Sequence, residues 1–210
     1  MDAPRTDSVR PPAHAATLRQ RAFSGQRKGG GCYNGRNRFV AIPPTVPIRH
    51  AQLPDLPAIV EIYNASIPGR MATADTAPVT VAQREAWFGE FGPTLRPLWV
   101  YCDAEYAPVS GWLSLRSFYG RPAYRATVEI GVYVAPAAQR RGIARKLVDH
   151  ALQQAPALGI RTVLAFVFAH NAPSIALFER FGFASWGRLP QVAELDGVER
   201  DLAILGRRVA

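Results

Sequence analysis

A chain of 210 residues, 48% hydrophobic and 20% charged, carries enough apolar material for a buried core and too much for a disordered protein. No apolar run reaches the ~18 residues that cross a bilayer, the N-terminus lacks the apolar segment of a secretory signal, and two cysteines are too few for a disulfide framework, so a reduced cytoplasm away from membranes is the expected setting. The net charge of +9 does not read as specific nucleic-acid binding, because residues 1–47 hold eight Lys or Arg against two Asp or Glu, while residues 48–210 hold 17 against 14 and no groove-reading motif.

Residues 1–47 are rich in Pro, Gly and Arg, with Gly29-Gly30-Gly31 and Pro43-Pro44 as breaks, and they predict a disordered basic extension. An Arg-rich transit peptide fits less well, since Asp2, Asp7 and the early prolines oppose an amphipathic targeting helix. Order is expected over 48–210. A short strand at Ile48 leads to a helix with Asp55 as N-cap, Pro57 in its first turn, and Ile59, Ile62 and Tyr63 on one face. A loop over 68–76 precedes a helix over 81–91. Strands follow at 99–102, 109–116 and 127–134. The next helix, over 142–155, buries a stripe of Ile143, Leu147, Val148, Ala151 and Leu152, and Pro156 with Gly159 ends it. Residues 162–168 are apolar almost throughout, as a strand covered on both faces should be. A short helix over 173–181 stops at Gly182, and one or two strands fill 184–205. The order is mixed α/β, with helices inserted between the strands of one sheet.

Chemistry concentrates in two runs. In Val132-Tyr133-Val134-Ala135-Pro136-Ala137-Ala138-Gln139-Arg140-Arg141-Gly142-Ile143-Ala144, a strand ends at a proline and a small, basic turn opens straight into a helix. The first helical turn has unpaired backbone N–H groups and the positive end of the dipole, and Gly142 lets a bulky anion approach, so the turn suits a phosphate. The second run begins at Asn171-Ala172-Pro173-Ser174 and ends at Glu179-Arg180-Phe181-Gly182-Phe183, with Asn171 able to cap its helix. Cys32 and Cys102 are too few for a disulfide framework or a thiolate zinc site, and His14, His50, His150 and His170 lack ligand spacing, so no metal is expected.

Together the two runs resemble the GNAT superfamily of acetyltransferases. Gln139 to Ala144 is similar to its Q/R-x-x-G-x-G/A pyrophosphate loop, and Asn171 to Phe183 to its N-x-x-(S/A)-x-x-L-(Y/H/F)-E-x-x-G-F segment. Ile62-Tyr63-Asn64, Ala72-Thr73-Ala74-Asp75-Thr76, Trp87-Phe88, Gly111, Pro122-Ala123-Tyr124 and Glu129-Ile130-Gly131 extend the resemblance to the phosphinothricin and methionine sulfone/sulfoximine acetyltransferase branch.

The resemblance implies a mixed central sheet splayed at an acetyl-CoA site, flanking helices, and a homodimer. It implies that main-chain groups of Val132, Tyr133 and Val134 bond the pantetheine arm. The amides of Gln139, Arg140, Arg141, Gly142, Ile143 and Ala144 would cradle the pyrophosphate, and Asn171, Ser174 and Phe178 would meet the cofactor from the following helix. Glu129 is the expected general base, because an ammonium cannot attack a thioester until a proton leaves. On its strand it shares a face with Gly131. One departure stands out: the family often has Tyr, and this branch His, at the position of Phe178, which has no proton to give. Tyr133 is a weaker candidate for that role.

For a carboxylate-bearing acceptor, Arg70, Thr73, Arg116, Arg121 and Tyr124 are expected to flank the acceptor cleft, with Phe118 and Tyr119 as wall. The expected activity is acetylation of the amino group of a small amino-acid-like substrate, in a ternary complex. Two alternatives remain open: a GNAT acting on protein N-termini or lysines, and a non-catalytic acyl-CoA-binding module.

Overall fold

The computed structural model describes residues 47–105 and 107–209, so the basic extension expected over 1–47 lies, Pro47 aside, outside the described residues. Four helices, α1 (Leu56–Asn64), α2 (Val81–Phe88), α3 (Ile143–Gln154) and α4 (Ala172–Arg180), flank seven strands: β1 (Ile48–His50), β2 (Leu98–Cys102), β3 (Val109–Ser117), β4 (Thr127–Val134), β5 (Thr162–Phe168), β6 (Ala184–Leu195) and β7 (Val198–Arg208). The strands form one sheet in the order β1-β2-β3-β4-β5-β7-β6. Only β4 and β5 run parallel, joined by a crossover through α3, and every other neighbouring pair is antiparallel.

Strand alternation sends β3 to both sides of the sheet. Leu113 and Leu115 pack with Val128, Ile130, Ile143, Leu147 and Val148 on the α3 side. Trp112 packs with Ile59, Ile62 and Val100 on the α1 side, where its indole N–H donates to the Ile59 carbonyl at 3.1 Å. The stripe expected on α3 is buried at Ile143, Leu147, Val148 and Ala151, and β5 is buried along nearly its whole length.

Helix starts follow local chemistry, with one correction. Asp55 stands at the N-cap position of α1, as expected, but its side chain bonds no N–H of that helix. It ends a single 3-10 turn (Leu53–Asp55), and its carboxylate turns back to accept the Gln52 N–H at 2.7 Å and the Arg49 guanidinium at 2.7 and 2.8 Å. At α2, Thr80 accepts from the Gln83 N–H while Gln83 accepts from the Thr80 N–H, a reciprocal cap that fixes the start. This helix ends at Phe88, short of the expected 91, with Phe91 folded back against Trp87 at 4.9 Å. The C-terminal region forms two strands joined by Asp196-Gly197, both at positive φ (52° and 78°), the geometry of a tight hairpin turn.

Gly111 is where β3 meets the start of α3. A Cβ there would lie 3.0 Å from Ile143 Cγ2 and 3.0 Å from the Tyr133 carbonyl oxygen. Because a backbone oxygen cannot move aside cheaply, Gly111→Ala is expected to destabilise the protein by about 1–3 kcal/mol. The check is a lower urea midpoint at unchanged slope.

Candidate active site

The β4–β5 ladder is short. It pairs Thr127 with Thr162, Val128 with Val163 and Glu129 with Leu164, and there it stops. Past that point β4 stays with β3 as far as Val134, while β5 stays with β7 as far as Phe168 and then turns into the Asn171 cap of α4. The strands part, and the edge of β4 that faces away from β3 loses its strand partner beyond Glu129. A cleft of about 520 Å³ opens there, walled by Ile130 to Tyr133 on one side and Phe166 to Phe168 on the other, with Ser174 and Phe178 of α4 behind.

A smaller cavity of about 110 Å³ adjoins it and is lined by Ile59, Tyr63, Arg84, Trp87, Trp112, Ser114, Arg116 and Tyr133. Its wall is a run of rings in contact: Trp112 stacks on Tyr133 at 4.5 Å, Tyr63 meets Tyr133 edge-on at 5.3 Å, and Trp87 meets Trp112 at 5.8 Å. The register of β3 on β4 places Ser114 opposite Gly131 and Arg116 opposite Glu129, and all four residues line this cavity. Glu129 and Gly131 share a face, as strand alternation requires, and Glu129 lines both cavities. A carboxylate therefore sits where the sheet splits.

The opposite end of β4 is built for an anion. After Val134 comes one 3-10 turn (Pro136–Ala138). Arg140 and Gly142 then take positive φ (60° and 76°), and α3 begins with no side-chain cap. Its first internal bond runs from the Lys146 N–H to the Gly142 carbonyl at 3.0 Å. Among the described residues the N–H groups of Gly142, Ile143, Ala144 and Arg145 have no acceptor. Four unpaired donors at the positive end of a helix are able to bond an anion. Two neighbouring cations are committed elsewhere: Arg141 pairs with Asp103 at 2.7 Å, and Lys146 bonds the Tyr101 hydroxyl at 3.0 Å.

The structure gathers some of the other expected residues and disperses others. Val132, Tyr133, Thr73, Asn171, Ser174 and Phe178 line the larger cleft, and Arg116 lines both cavities. Arg70 lines neither. At φ 52° it reaches across to Asp196 in the β6–β7 turn, with bonds of 2.8 and 3.0 Å, and fastens the 68–76 loop to that hairpin. Phe118, Tyr119 and Tyr124 form an aromatic shelf outside both cavities, with ring separations of 4.4 and 5.4 Å, and Tyr119 is 76% exposed. Arg121 stands exposed beside that shelf.

Asn171 spends its amide inside the protein, donating to the Met71 carbonyl at 2.8 Å and accepting the Ser174 N–H at 3.2 Å. The Tyr133 hydroxyl donates to the Ala72 carbonyl at 3.2 Å, and burial pushes its phenol well above the ordinary range, so it holds its proton and is a poor acid for a leaving thiolate. Arg84, Tyr63 and Ser114 were missed as site residues. The signal existed: Arg84 lies three residues before Trp87 on one helix, and Ser114 two before Arg116 on one strand.

Among the described residues no three His, Cys, Asp or Glu gather as a metal would require, and no helix is long and apolar enough to cross a membrane.

Comparison with known proteins places this geometry in context. The model of the acetyltransferase (GNAT) family matches residues 56–183. The Bacillus subtilis (strain 168) protein YwnH, provisionally named a phosphinothricin acetyltransferase, is 48% identical over 163 residues, covering 78% of this chain and 99% of that protein. The L-methionine sulfoximine/L-methionine sulfone acetyltransferase of Pseudomonas aeruginosa is 34% identical over 158 residues, covering 75% of this chain and 91% of that one. Among solved structures, a GNAT superfamily phosphinothricin acetyltransferase from Sinorhizobium meliloti in complex with AcCoA superposes with a TM-score of 0.73 at 30% identity, covering 78% of this chain and 88% of that one.

Proposed function

Since the chain belongs to the GNAT acetyltransferase family and is an N-acetyltransferase using acetyl-CoA, we propose that it acetylates the α-amino group of a small amino acid of the methionine sulfone or phosphinothricin type. The observation that carries this reading is the position of Glu129, on the strand boundary where a long cleft and a small aromatic cavity meet.

The cosubstrate lies along the splay. Its diphosphate takes the free N–H groups of residues 142–145, and its pantetheine arm takes the unpaired edge of β4 at Val132, Tyr133 and Val134, as an added strand would. The thioester then ends beside Glu129. The acceptor enters the small cavity as an ammonium, and Glu129, directly or through a water, removes one proton. The nitrogen lone pair attacks the carbonyl carbon, and a C–N bond forms. The oxyanion collapses and the C–S bond breaks, giving the acetamide and the thiolate of coenzyme A. With a thiol pKa of about 8.5, that thiolate leaves as it is or takes a proton from water, so Phe178 is no obstacle. Transfer is direct, in a ternary complex. Cys102 is buried in β2 and lines neither cavity, which supports a route with no covalent enzyme intermediate.

Residues 48–210 act as the catalytic domain in this reading, in the cytoplasm, as the scarcity of cysteine favours, and as a homodimer by analogy with GNAT enzymes. A protein N-terminus or lysine fits less well, because the small cavity holds Arg116 beside Glu129, a partner for the carboxylate that a peptide amine does not carry. A non-catalytic acyl-CoA-binding module has no use for that carboxylate at the junction.

The test is thiol release from acetyl-CoA with methionine sulfone, phosphinothricin, spermidine, and peptides with free N-termini or lysines. The two amino acids are expected to turn over at least ten times faster than the rest. Preference for a peptide or polyamine overturns the acceptor class, and binding of acetyl-CoA without any turnover returns the protein to a carrier role.

A further inference from the structure

Arg84 is held in a way that surface arginines are not. Its guanidinium carbon lies 4.6 Å from the Tyr63 ring centre and 5.6 Å from that of Trp87, and its Nη2 donates to Asp75 Oδ2 at 2.9 Å. The side chain is 24% exposed, and among the described residues its Nε and Nη1 have no acceptor. A planar fork fixed on two ring faces, with donors to spare, lines the small cavity. Arg116 lines it too, and among the described residues it makes no hydrogen bond or ion pair.

Charge decides what fits. Arg116 meets Glu129 in cross-strand register, while Arg84 is already paired with Asp75 and keeps donors without an acceptor. The amine and carboxylate of an amino acid share one carbon, so an amine at Glu129 keeps its carboxylate beside Arg116, the cross-strand neighbour of Glu129. That pairing satisfies Arg116 and leaves the Nε and Nη1 donors of Arg84 unused. Arg84 belongs to α2, across the aromatic wall, where the acceptor's side chain would lie. Leaving Arg84 opposite an alkyl group would desolvate its free donors without return.

We propose that Arg84 is the specificity residue for the acceptor's side chain, bonding a tetrahedral oxygen-bearing group (sulfonyl, sulfoximinyl or phosphinyl) whose methylenes lie on Trp87 and Trp112. The assignment rests on the acceptor reading given under Proposed function.

The experiment compares kcat/KM for methionine sulfone and for norleucine, which has a similar chain without the oxygens, in wild type, Arg84→Met, Arg84→Lys and Arg116→Met. Arg84→Met is expected to reduce the sulfone-to-norleucine ratio on the order of 10- to 100-fold, chiefly through KM, as loss of a charge-assisted pair predicts. Arg84→Lys keeps the charge without the fork and should recover part of that ratio. Arg116→Met should lower both acceptors together. If Arg84→Met or Arg84→Lys lowers both acceptors by one factor, or leaves the ratio at its wild-type value, the assignment is overturned while the acceptor class stands. If wild type acetylates neither compound, the acceptor class fails and this assignment with it.

Discussion

Glu129→Gln is expected to reduce kcat with an amino-acid acceptor by about 10²- to 10⁴-fold at pH 7, the range by which a positioned base accelerates a reaction. The KM for acetyl-CoA should stay within about two-fold, since the diphosphate cradle lies at the far end of β4 and no cofactor contact is assigned to this carboxylate. Glutamine keeps the size of the side chain, and the flanking Val128 and Ile130 are buried, so the strand has no reason to move. The pH profile separates a base from a bystander. Without Glu129 only the acceptor molecules already deprotonated in solution can react, and below the amine pKa that fraction rises about ten-fold per pH unit. The variant should therefore recover steadily from pH 6 to 9, while wild type levels off earlier. Equal rates for the two proteins across that range would remove Glu129 from the mechanism.

Local signals in the sequence were enough for most elements but not for their meeting points. The α3 stripe, the doubly covered β5 and the Gly142 turn follow from periodicity and from a glycine set between a strand and a helix, so they could be read residue by residue. The splay came from the resemblance alone, because nothing in Glu129-Ile130-Gly131 announces that β5 will leave after Leu164. Arg70 went astray for a related reason. Its partner Asp196 is 126 positions away in a turn whose geometry needs positive φ at both residues, and a cation seen in isolation cannot reveal that commitment. Phe118 and Tyr119 were expected as wall and Tyr124 beside the arginines, yet the chain leaves the sheet at Ser117 and carries them onto a shelf outside both cavities, where Phe118 stacks on Phe166 of the larger cleft. Arg84 was passed over because α2 shows weak amphipathicity and no residue of it is fully buried, so its inner face is visible only through the rings it meets.

Gly142→Asp separates the folding role of the α3 junction from its binding role. Asp is among the preferred N-cap residues and is one of the few side chains that tolerate left-handed backbone, and the space where its Cβ would point is open to 4 Å. The carboxylate can bond the free N–H groups of residues 144 or 145, which offsets part of the strain that any side chain meets at φ 76°, so the thermal midpoint is expected to fall by only about 2–4 °C. The same bond uses the donors that a diphosphate needs and adds a negative charge where negative charge must bind. Affinity for acetyl-CoA, measured by calorimetry, is expected to fall on the order of 100-fold or more, a coupling of ~2.7 kcal/mol or more at 1.36 kcal/mol per decade. Gly142→Asn supplies a similar cap without the charge and should lose less. If both variants bind acetyl-CoA as wild type does, the junction after Val134 is an ordinary strand-to-helix turn and the cosubstrate is held elsewhere. If they lose binding with the fold intact, backbone donors rather than the surrounding arginines hold the diphosphate, which explains why Arg141 and Lys146 can be tied to Asp103 and Tyr101.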